Sequence, residues 1–288
     1  MGVEKPLTES RVAIVGLGLM GGSLAMGLKG KCSRLLGSDR DPDTLSLAIE
    51  QGVVDRADQN LEAILPGADI IVLATPVREI LKLLRLLPEI HPGPVVVMDL
   101  GSTKGEIVRA MASLPPSFDS IGGHPICGSV NAGLQHAAAR IYEGATFVLT
   151  PIPRTTEGGR SAVEALVRAV HALPLWVSAE DHDAWLAATS HIPHLLASAL
   201  VATTPKQARQ VVGRGFSSAS RLAASDPKMM ADIYMTNREA VLEAMDRVIR
   251  QLEVLEAEIR DGDSALIEQR FAEAQRFHRS LVQDRRAG

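Results

Sequence analysis

The stretch that decides the fold is RVAIV at residues 11–15 followed by GLGLMG at residues 16–21. A short apolar strand that ends in such a glycine turn, before a helical composition over residues 22–30, is typical of dinucleotide-binding proteins. The first glycine allows a tight turn, the second lets the backbone approach a pyrophosphate, and the third lets the helix pack close to the strand. Because a flexible loop can have the same composition, the turn needs support from the residues that follow it.

That support comes from Asp39, which ends a second apolar strand over residues 34–38 and lies 18 residues past Gly21. A carboxylate at this place accepts hydrogen bonds from an adenosine ribose, and it would repel a 2′-phosphate. Asp39 therefore favours NAD over NADP, although Arg40 is the kind of side chain that a 2′-phosphate recruits. The predicted cofactor-binding residues are Gly16, Gly18, Leu19, Met20, Gly21, Asp39, Arg40, Thr75, Pro76 and Ser102.

The alternation of strands and helices continues beyond Asp39. A continuous apolar run over residues 68–74 is typical of a strand covered on both faces, and a second such run lies at residues 94–98. Ligands of open α/β sheets bind beyond the carboxyl ends of the strands, so we expect the residues after both runs to lie beside the glycine turn. Ser102 and Lys104 belong to this group. They fit the first turn of a following helix, but their position favours a pocket.

A domain boundary is indicated by Pro151 and Pro153, which precede a polar stretch. We therefore predict an α/β protein in which a Rossmann-type dinucleotide-binding domain is followed by an all-α domain. The first domain is expected at residues 1–152, and the second, for substrate binding and dimerisation, at residues 153–288.

The sequence IGGHPICGS at residues 121–129 surrounds the main catalytic candidate, His124. Glycines adopt backbone angles that other residues avoid, and Pro125 fixes its own φ while it biases His124 toward an extended conformation. We therefore expect a loop, outside any regular helix or strand, that presents one imidazole in a set direction. An ordinary turn with a solvated histidine has the same local pattern.

The second half is predicted to be helical, and one of its helices carries SHIPH at residues 190–194. Pro193 should kink that helix, because a proline leaves the carbonyl four residues earlier without a partner. His194 lies four residues after Ser190 and so shares its face. We predict a ligand contact for His194 and a core position for His191.

A long helix is predicted over residues 227–260, followed by an amphipathic helix over residues 264–281. A helix of this length exceeds the needs of one small domain, so part of its apolar stripe is expected to pack on a second subunit. The stripe consists of Ile233, Val241, Met245, Val248, Leu252, Leu255 and Ile259.

The composition narrows the function classes. The 288 residues are 46% hydrophobic and carry a net charge of −4 without a basic block, which argues against nucleic acid or an anionic membrane as a partner. No apolar run of membrane-spanning length and no signal-peptide pattern is apparent in the sequence. Cys32 and Cys127 have no metal-ligand or redox spacing, so no metal is expected and the predicted compartment is the cytoplasm.

Taken together, the motifs resemble the prephenate and arogenate dehydrogenases of tyrosine biosynthesis, over residues 12–248. The motifs concerned are the glycine turn, DLGSTK at 99–104, GGHP at 122–125, GS at 128–129, EG at 143–144, VLTP at 148–151, SHIPH at 190–194, GF at 215–216 with Arg221, and SDP at 225–227. The resemblance implies an NAD-dependent oxidative decarboxylation, and the apolar stripe described above predicts a homodimer. The expected substrate is prephenate, which would give 4-hydroxyphenylpyruvate, with arogenate, which would give tyrosine, as the alternative.

The resemblance also implies roles for individual residues. His124 would bind and deprotonate the substrate hydroxyl, and an imidazole is a competent base at neutral pH. Ser102 would hold that imidazole and contact substrate and nicotinamide. Arg221 would bind a substrate carboxylate, and His194 would line the pocket. The implied substrate-binding residues are Arg221, His194, Ser190, Gly128 and Ser129.

The chain departs from the family at a few positions. Val130 stands where an acidic residue is frequent, Ser217 and Ser218 stand where a basic-acidic pair is frequent, and Met230 replaces a tryptophan. These departures leave the substrate preference and any inhibition by tyrosine open.

Two other functions share parts of the pattern. A β-hydroxyacid dehydrogenase or imine reductase would have a similar two-domain plan, but it would be expected to use a lysine where this chain offers histidines. A non-catalytic NAD-binding protein would need none of the catalytic set, and the presence of Ser102, His124 and Arg221 argues against it.

Overall fold

An eight-stranded sheet organises the first of the two units in the computed structural model, which describes residues 5–128 and 131–283. This unit extends to Arg238, and the second begins at Glu239. The strands are β1 (Arg11–Val15), β2 (Arg34–Ser38), β3 (Arg56–Ala57), β4 (Ile70–Leu73), β5 (Val95–Asp99), β6 (Phe118–Pro125), β7 (Thr146–Pro151) and β8 (Leu173–Trp176). Their order in the sheet is β3-β2-β1-β4-β5-β6-β7-β8. Neighbouring strands pair in parallel except β6 and β7, which are antiparallel.

Helices cover both faces of this sheet, which explains why its central strands are continuous apolar runs. Between the strands lie α1 (Leu19–Leu28), α2 (Pro42–Glu50), α3 (Leu61–Ile64), α4 (Val77–Ile90), α5 (Gly105–Ala112) and α6 (Glu157–Ala169). Successive side chains of a strand point to opposite faces, so β1 contributes to two cores. Val12 packs in one cluster with Leu24 of α1, and Ala13 packs in the other with Ile80 of α4. The α/β class and the alternation predicted from the sequence are confirmed.

The sheet continues past residue 152. α6 follows β7 and leads into β8, which pairs in parallel with β7 from Thr146↔Leu173 to Leu149↔Trp176. Residues 173–176, which lie within the half predicted to be helical, therefore form a strand of the sheet. Periodicity alone does not distinguish so short an apolar run from a buried helix segment. The domain limits of 1–152 and 153–288 stay a prediction.

Beyond β8 the described chain is helical. The helices are α7 (Ala179–Leu186), α8 (Ile192–Thr203), α9 (Arg214–Ser220), α10 (Pro227–Thr236), α11 (Arg238–Asp261) and α12 (Ser264–Gln283), with 3₁₀ turns at Lys206–Val211 and Arg221–Ala224. α7 and α8 are joined without a break by a π-helical turn, Ala187–His191. This widened turn lies directly before Pro193, where the sequence predicted a disturbance, because a proline lacks the N–H that a regular α-helical turn needs.

The predicted helix over residues 227–260 is wrong in one respect, since it is two helices. Asn237 separates α10 from α11 with φ −131° and ψ 36°. Its side-chain Nδ2 donates to the carbonyl of Asp183 at 2.8 Å, and it also contacts Nδ1 of His191 at 3.3 Å. A break caused by contacts with a distant helix leaves no mark on the local apolar pattern.

By length and composition alone, the helical run Ala179–Thr203 is apolar enough to cross a membrane, which the sequence reasoning did not recognise. Core helices of soluble proteins pass the same test. The run begins with the charged and polar side chains of Asp181, His182 and Asp183, and such groups are costly within a bilayer. His182 and Asp183 are buried and bond to His124 and to the N–H of Lys104, which ties the start of this run to the domain that contains the sheet.

The second unit is formed by most of α11 and by α12. Gly262, with φ +72°, makes the turn between them, and Asp263 caps α12 by accepting the N–H of Leu266 at 3.0 Å. The guanidinium of Arg270 binds the carboxylate of Glu258 through Nε at 2.7 and 2.9 Å. Large apolar side chains remain exposed on both helices: Leu252, Ile259, Leu266, Phe271, Phe277 and Leu281.

Candidate active site

The glycine turn has the geometry that a dinucleotide requires. Gly16 adopts φ +96°, and a side chain there would meet the carbonyl oxygen of Ala74 at 2.7 Å. A Cβ on Gly21 would lie 1.8 Å from the carbonyl oxygen of Gly16, so α1 packs against the turn only because this residue is glycine. At Gly18, by contrast, a Cβ would meet nothing within 4 Å. The turn is therefore tight against the protein at its ends and open in its middle, where a phosphate group can approach the backbone.

Asp39 is fixed to this turn. Its Oδ2 accepts the N–H of Leu17 at 2.8 Å, and its Oδ1 accepts the N–H of Asp41 at 3.0 Å. Each carboxylate oxygen keeps a further lone pair, so Asp39 can still accept hydrogen bonds from ribose hydroxyls. Arg40 next to it is exposed. The residues at the end of β2 thus fit the adenosine side of a dinucleotide.

Thr75 supplies a second polar group at the same edge. It follows β4, and its methyl group would lie 2.9 Å from a Cβ on Gly16. Its Oγ1 is buried and has no hydrogen-bond partner within the part of the chain that the structure describes. Buried hydroxyls normally have a partner, so this oxygen fits a group that enters the site. Pro76 begins the next turn as the N-cap of α4.

His124 lies in strand β6, so the prediction of a loop is wrong. It is in register with Val148, and Pro125 with Phe147, in the antiparallel pair of β6 and β7. The glycine beside it has a packing role rather than a conformational one. A Cβ on Gly123 would lie 2.4 Å from the carbonyl oxygen of Asp99 and 3.0 Å from Cγ of Met98. The bare position directly before the histidine therefore lets β6 approach β5 closely, which a loop interpretation could not anticipate.

A buried ion pair between Lys104 and Asp99 binds the backbone of β6 directly before His124. Nζ of Lys104 binds Oδ2 of Asp99 and donates to the carbonyl of Gly123 at 2.8 Å, and both side chains are fully buried. Oδ1 of Asp99 accepts the N–H of Gly123 at 3.0 Å, and Oδ2 accepts that of Gly101 at 2.7 Å. Burial lowers the pKa of Lys104, while Asp99 opposes that shift. Lys104 is therefore part of the framework behind His124, and the pocket role favoured from its position is wrong.

The imidazole of His124 takes part in a chain of hydrogen bonds that the sequence did not reveal. Its Nδ1 lies 2.8 Å from Nε2 of His182, and Nδ1 of His182 lies 2.7 Å from Oδ1 of Asp183. Burial, with smaller contributions from His182, Lys104 and His191, lowers the pKa of His124 well below 6.5. Burial also lowers the pKa of His182, against the opposing effect of its bond to Asp183. At neutral pH both rings are neutral, and a neutral imidazole can accept a proton.

Two further histidines come from the SHIPH motif. His191 is buried, as predicted, and burial lowers its pKa to about 4. His194 in α8 is partly exposed, and its Nδ1 pairs with the hydroxyl of Tyr234 in α10. Its pKa is also lowered by burial. Ser190 is exposed.

Family profiles match the two halves of this chain. Residues 24–173 match the prephenate dehydrogenase nucleotide-binding domain, and residues 178–273 match the prephenate dehydrogenase dimerization domain. A prephenate dehydrogenase of Bacillus subtilis is 32% identical over 95% of this chain and 76% of its own length. This chain belongs to the prephenate dehydrogenase family.

Solved structures of this family share the whole fold. The prephenate dehydrogenase of Aquifex aeolicus, in complex with hydroxyphenyl propionate and NAD⁺, matches with a TM-score of 0.87 and 31% identity, over 96% of this chain and all of that one. The arogenate dehydrogenase of Synechocystis matches with a TM-score of 0.82 and 25% identity, over 94% of this chain and all of that one. The first domain of this family member is thus a nucleotide-binding domain with a glycine turn that precedes the matched region.

The remaining predicted residues are spread over several elements. Arg221 begins a 3₁₀ turn, is exposed, and has no ion-pair partner among residues 5–128 and 131–283. Gly128 is exposed with φ +150°, and Ser129 lies outside the described residues, as does Val130. Ser102 is partly buried after β5, and no hydrogen bond joins it to His124 in the described chain, where Nδ1 of that ring pairs with His182. The roles assigned to these residues stay predictions.

The sequence reasoning missed His182, Asp183, Tyr234 and Asn237. A weak signal existed for the first two, since a His-Asp pair at the start of a helix can combine an imidazole with a carboxylate that orients it. Their partner in β6 is 58 residues away in sequence, however, and no local pattern connects the two. No cluster of three or more histidine, cysteine or acidic side chains suited to a metal ion occurs in the described residues.

Proposed function

We propose that this protein catalyses the NAD-dependent oxidative decarboxylation of prephenate to 4-hydroxyphenylpyruvate. The observation that carries the proposal is a neutral histidine, His124, held by buried partners next to strand ends that fit a dinucleotide. Burial lowers its pKa, so the ring is free to accept a proton at neutral pH, and a hydrogen bond to His182 fixes its orientation. The Aquifex aeolicus relative, solved with NAD⁺ and hydroxyphenyl propionate, supports both the cofactor and an aromatic product.

In the proposed reaction, His124 accepts the proton of the substrate hydroxyl. The hydrogen on the same ring carbon leaves as hydride, so that carbon becomes a carbonyl. Breakage of the bond to the ring carboxylate then releases carbon dioxide, and its electron pair makes the ring aromatic. The carbonyl oxygen becomes a phenolate, which takes the proton back from His124. NAD, when bound, supplies the acceptor for the hydride.

The cofactor would lie along the carboxyl edge of the sheet. Gly16, Gly18 and Gly21 would admit the pyrophosphate, with Leu19 and Met20 at the start of α1. Asp39 would bind the adenosine ribose, which favours NAD over NADP. Further contacts are proposed for Arg40, Thr75, Pro76 and Ser102.

The substrate would bind between His124 and the helical half. Prephenate carries two carboxylates, and the exposed guanidinium of Arg221 is free to bind one of them. His194, held by Tyr234, would line the pocket. Ser190, Gly128 and Ser129 complete the proposed substrate-binding set.

The deciding experiment is to follow NADH formation by the purified protein with prephenate and with arogenate, each offered with NAD and NADP. Prephenate with NAD should give the highest kcat/KM. Higher kcat/KM with arogenate would favour the alternative, which the similarity to the Synechocystis enzyme makes reasonable. Failure to oxidise either substrate would refute the proposal and favour a β-hydroxyacid dehydrogenase or a non-catalytic NAD-binding protein.

Assembly and location belong to the same proposal. We propose a homodimer through the helical half, because the profile matched at residues 178–273 is a dimerization domain and α11 and α12 expose apolar side chains. Light scattering at micromolar concentration should show twice the mass of the chain, and a stable monomer would contradict it. A cytoplasmic location is proposed from the two unpaired cysteines, Cys32 and Cys127.

A further inference from the structure

Asp183 lies at the far end of the hydrogen-bonded chain that leads to His124, and its protonation state follows from its other partners. Its Oδ1 accepts the backbone N–H of Lys104 at 2.7 Å, and its Oδ2 accepts that of Gly105 at 2.7 Å. Backbone N–H groups can only donate, so both oxygens must act as acceptors. The two groups also form the amino end of α5, whose dipole favours a negative charge. An aspartate is ordinarily ionised at neutral pH, and these partners suit that form, in which Asp183 can only accept hydrogen bonds.

This fixes the tautomer of His182. The nitrogen facing the carboxylate, Nδ1, must carry a proton in order to bond to Oδ1 at 2.7 Å. Burial lowers the pKa of His182, so the ring is neutral and carries one proton only. Its other nitrogen, Nε2, is then a bare acceptor.

The same step fixes the tautomer of His124. Nε2 of His182 lies 2.8 Å from Nδ1 of His124, and a bare nitrogen can only accept. The proton between the two rings therefore sits on Nδ1 of His124. Because the neutral ring of His124 has no second proton, its Nε2 is left with a free lone pair.

We infer that Asp183 and His182 are positioning residues that keep the proton of His124 on Nδ1 and so make Nε2 the proton-accepting atom. The inference rests on the proposed function, in which His124 is the base. Neither residue needs to touch the substrate. When Nε2 of His124 takes up a proton, the positive charge is shared through His182 toward the carboxylate of Asp183. Without the carboxylate, His182 can carry its proton on Nε2, next to Nδ1 of His124. His124 then carries its own proton on Nε2, which can no longer accept one from the substrate.

The neighbouring charged groups do not replace this function. Lys104 and Asp99 face the two rings from the sheet, but they are paired with each other. His191 faces them from the helical half, and it is buried with a pKa of about 4, so it is neutral at neutral pH. Asp183 is thus the negative charge bonded directly to the chain of rings, and it can set the direction of the hydrogen bonds.

The first test measures the tautomer directly and needs no substrate. Protein labelled with ¹⁵N-histidine should show His124 protonated at Nδ1 and bare at Nε2 in long-range ¹H–¹⁵N spectra, with its signals assigned through His124→Ala. In Asp183→Asn the proton of His124 should move, in part or fully, to Nε2. A wild-type protein with His124 protonated at Nε2 would overturn the inference, whatever reaction the protein catalyses.

The second test separates positioning from stability. Asp183→Asn and His182→Asn should lower kcat by about 10²- to 10⁴-fold, the loss expected when a base holds the wrong tautomer. The KM for NAD should stay within about twofold, since the cofactor lies on other strands. The loss of kcat should persist at every pH above the range in which kcat of the wild-type protein falls with acid. Raising the pH removes protons but does not restore the correct tautomer of His124. His182→Gln keeps an acceptor oxygen near the position of Nε2 and should be at least about tenfold more active than His182→Asn.

Ser178→Ala is the matched control. Ser178 caps the same helix, α7, by accepting the N–H of Asp181 at 3.0 Å, so its loss loosens α7 without touching the hydrogen-bonded chain. This control should keep wild-type kcat. If Asp183→Asn and His182→Asn match the control while His124→Ala is inactive, the positioning role is refuted and the proposed reaction stands. If the wild-type protein turns over no cyclohexadienol, the proposed reaction fails, and the ¹⁵N spectra still decide the tautomer.

Discussion

Substitution of Gly123 by alanine tests whether the close approach of β6 to β5 sets the position of the base. The new Cβ would lie 2.4 Å from the carbonyl oxygen of Asp99, a backbone atom that cannot turn away. An ordinary contact begins near 3.4 Å, so the two strands must separate by about 1 Å. Movement of that size would also stretch the bond from the Gly123 N–H to Asp99, now 3.0 Å. His124 follows directly in the strand and would move with it.

We expect Gly123→Ala to lower kcat by about 100-fold, the usual cost of a 1 Å displacement of a catalytic group. The free energy of unfolding should fall by about 1–3 kcal/mol, as for other overpacked sites. Steady-state kinetics with prephenate and NAD measure the first effect, and urea unfolding measures the second. Gly213→Ala is the matched control, because a Cβ there would meet nothing within 4 Å. Near-normal turnover of the folded Gly123→Ala variant would show that the approach of the strands does not position His124.

The remaining predictions concern the base, the cofactor and acid stability. His124→Ala should lower kcat by about 10²- to 10⁴-fold with little change in NAD affinity, and normal turnover would exclude it as the base. NAD should exceed NADP by about tenfold or more in kcat/KM, and Asp39→Ser should narrow that gap; a wild-type preference for NADP would mean that Arg40 dominates. Burial lowers the pKa of His191 from 6.5 to about 4, so between these values the unfolded chain binds a proton that the folded chain does not. The free energy of unfolding should therefore fall by up to about 1.4 kcal/mol per pH unit as the pH drops through this window. Urea unfolding at several pH values measures this pH dependence, which should be weaker in His191→Gln.

Local patterns were sufficient to predict the cofactor half of the fold. The glycine turn and the buried strands each depend on residues within a few positions of one another. The N-cap of α2 shows how local such contacts are, since Asp41 accepts the N–H of Asp43, two residues later. Such contacts follow from the sequence because the chain cannot place these residues far apart.

The errors have a common physical cause. The loop predicted around His124 and the unbroken helix predicted through Asn237 both treated a residue by its own preference. In the structure, Gly123 is glycine because Asp99 of another strand lies against it, and Asn237 breaks the helix while it binds Asp183. Tertiary contacts of this kind override local preference. They have no period and no fixed spacing from which they could have been predicted.

The segment DLGSTK at residues 99–104 is a motif that the sequence displays, but the contacts that its residues make are visible only in the structure. Its position favoured a pocket, yet two of its six residues, Asp99 and Lys104, support His124. Asp99 and the side chain of Lys104 hold the backbone of Gly123, directly before the histidine. The backbone N–H of Lys104 binds Asp183, whose carboxylate orients His182 and through it the imidazole of His124. One short connection between β5 and α5 thus fixes His124 twice, once through its own strand and once through its ring. A base fixed from both sides needs little rearrangement when a substrate arrives, which is the condition for efficient proton transfer.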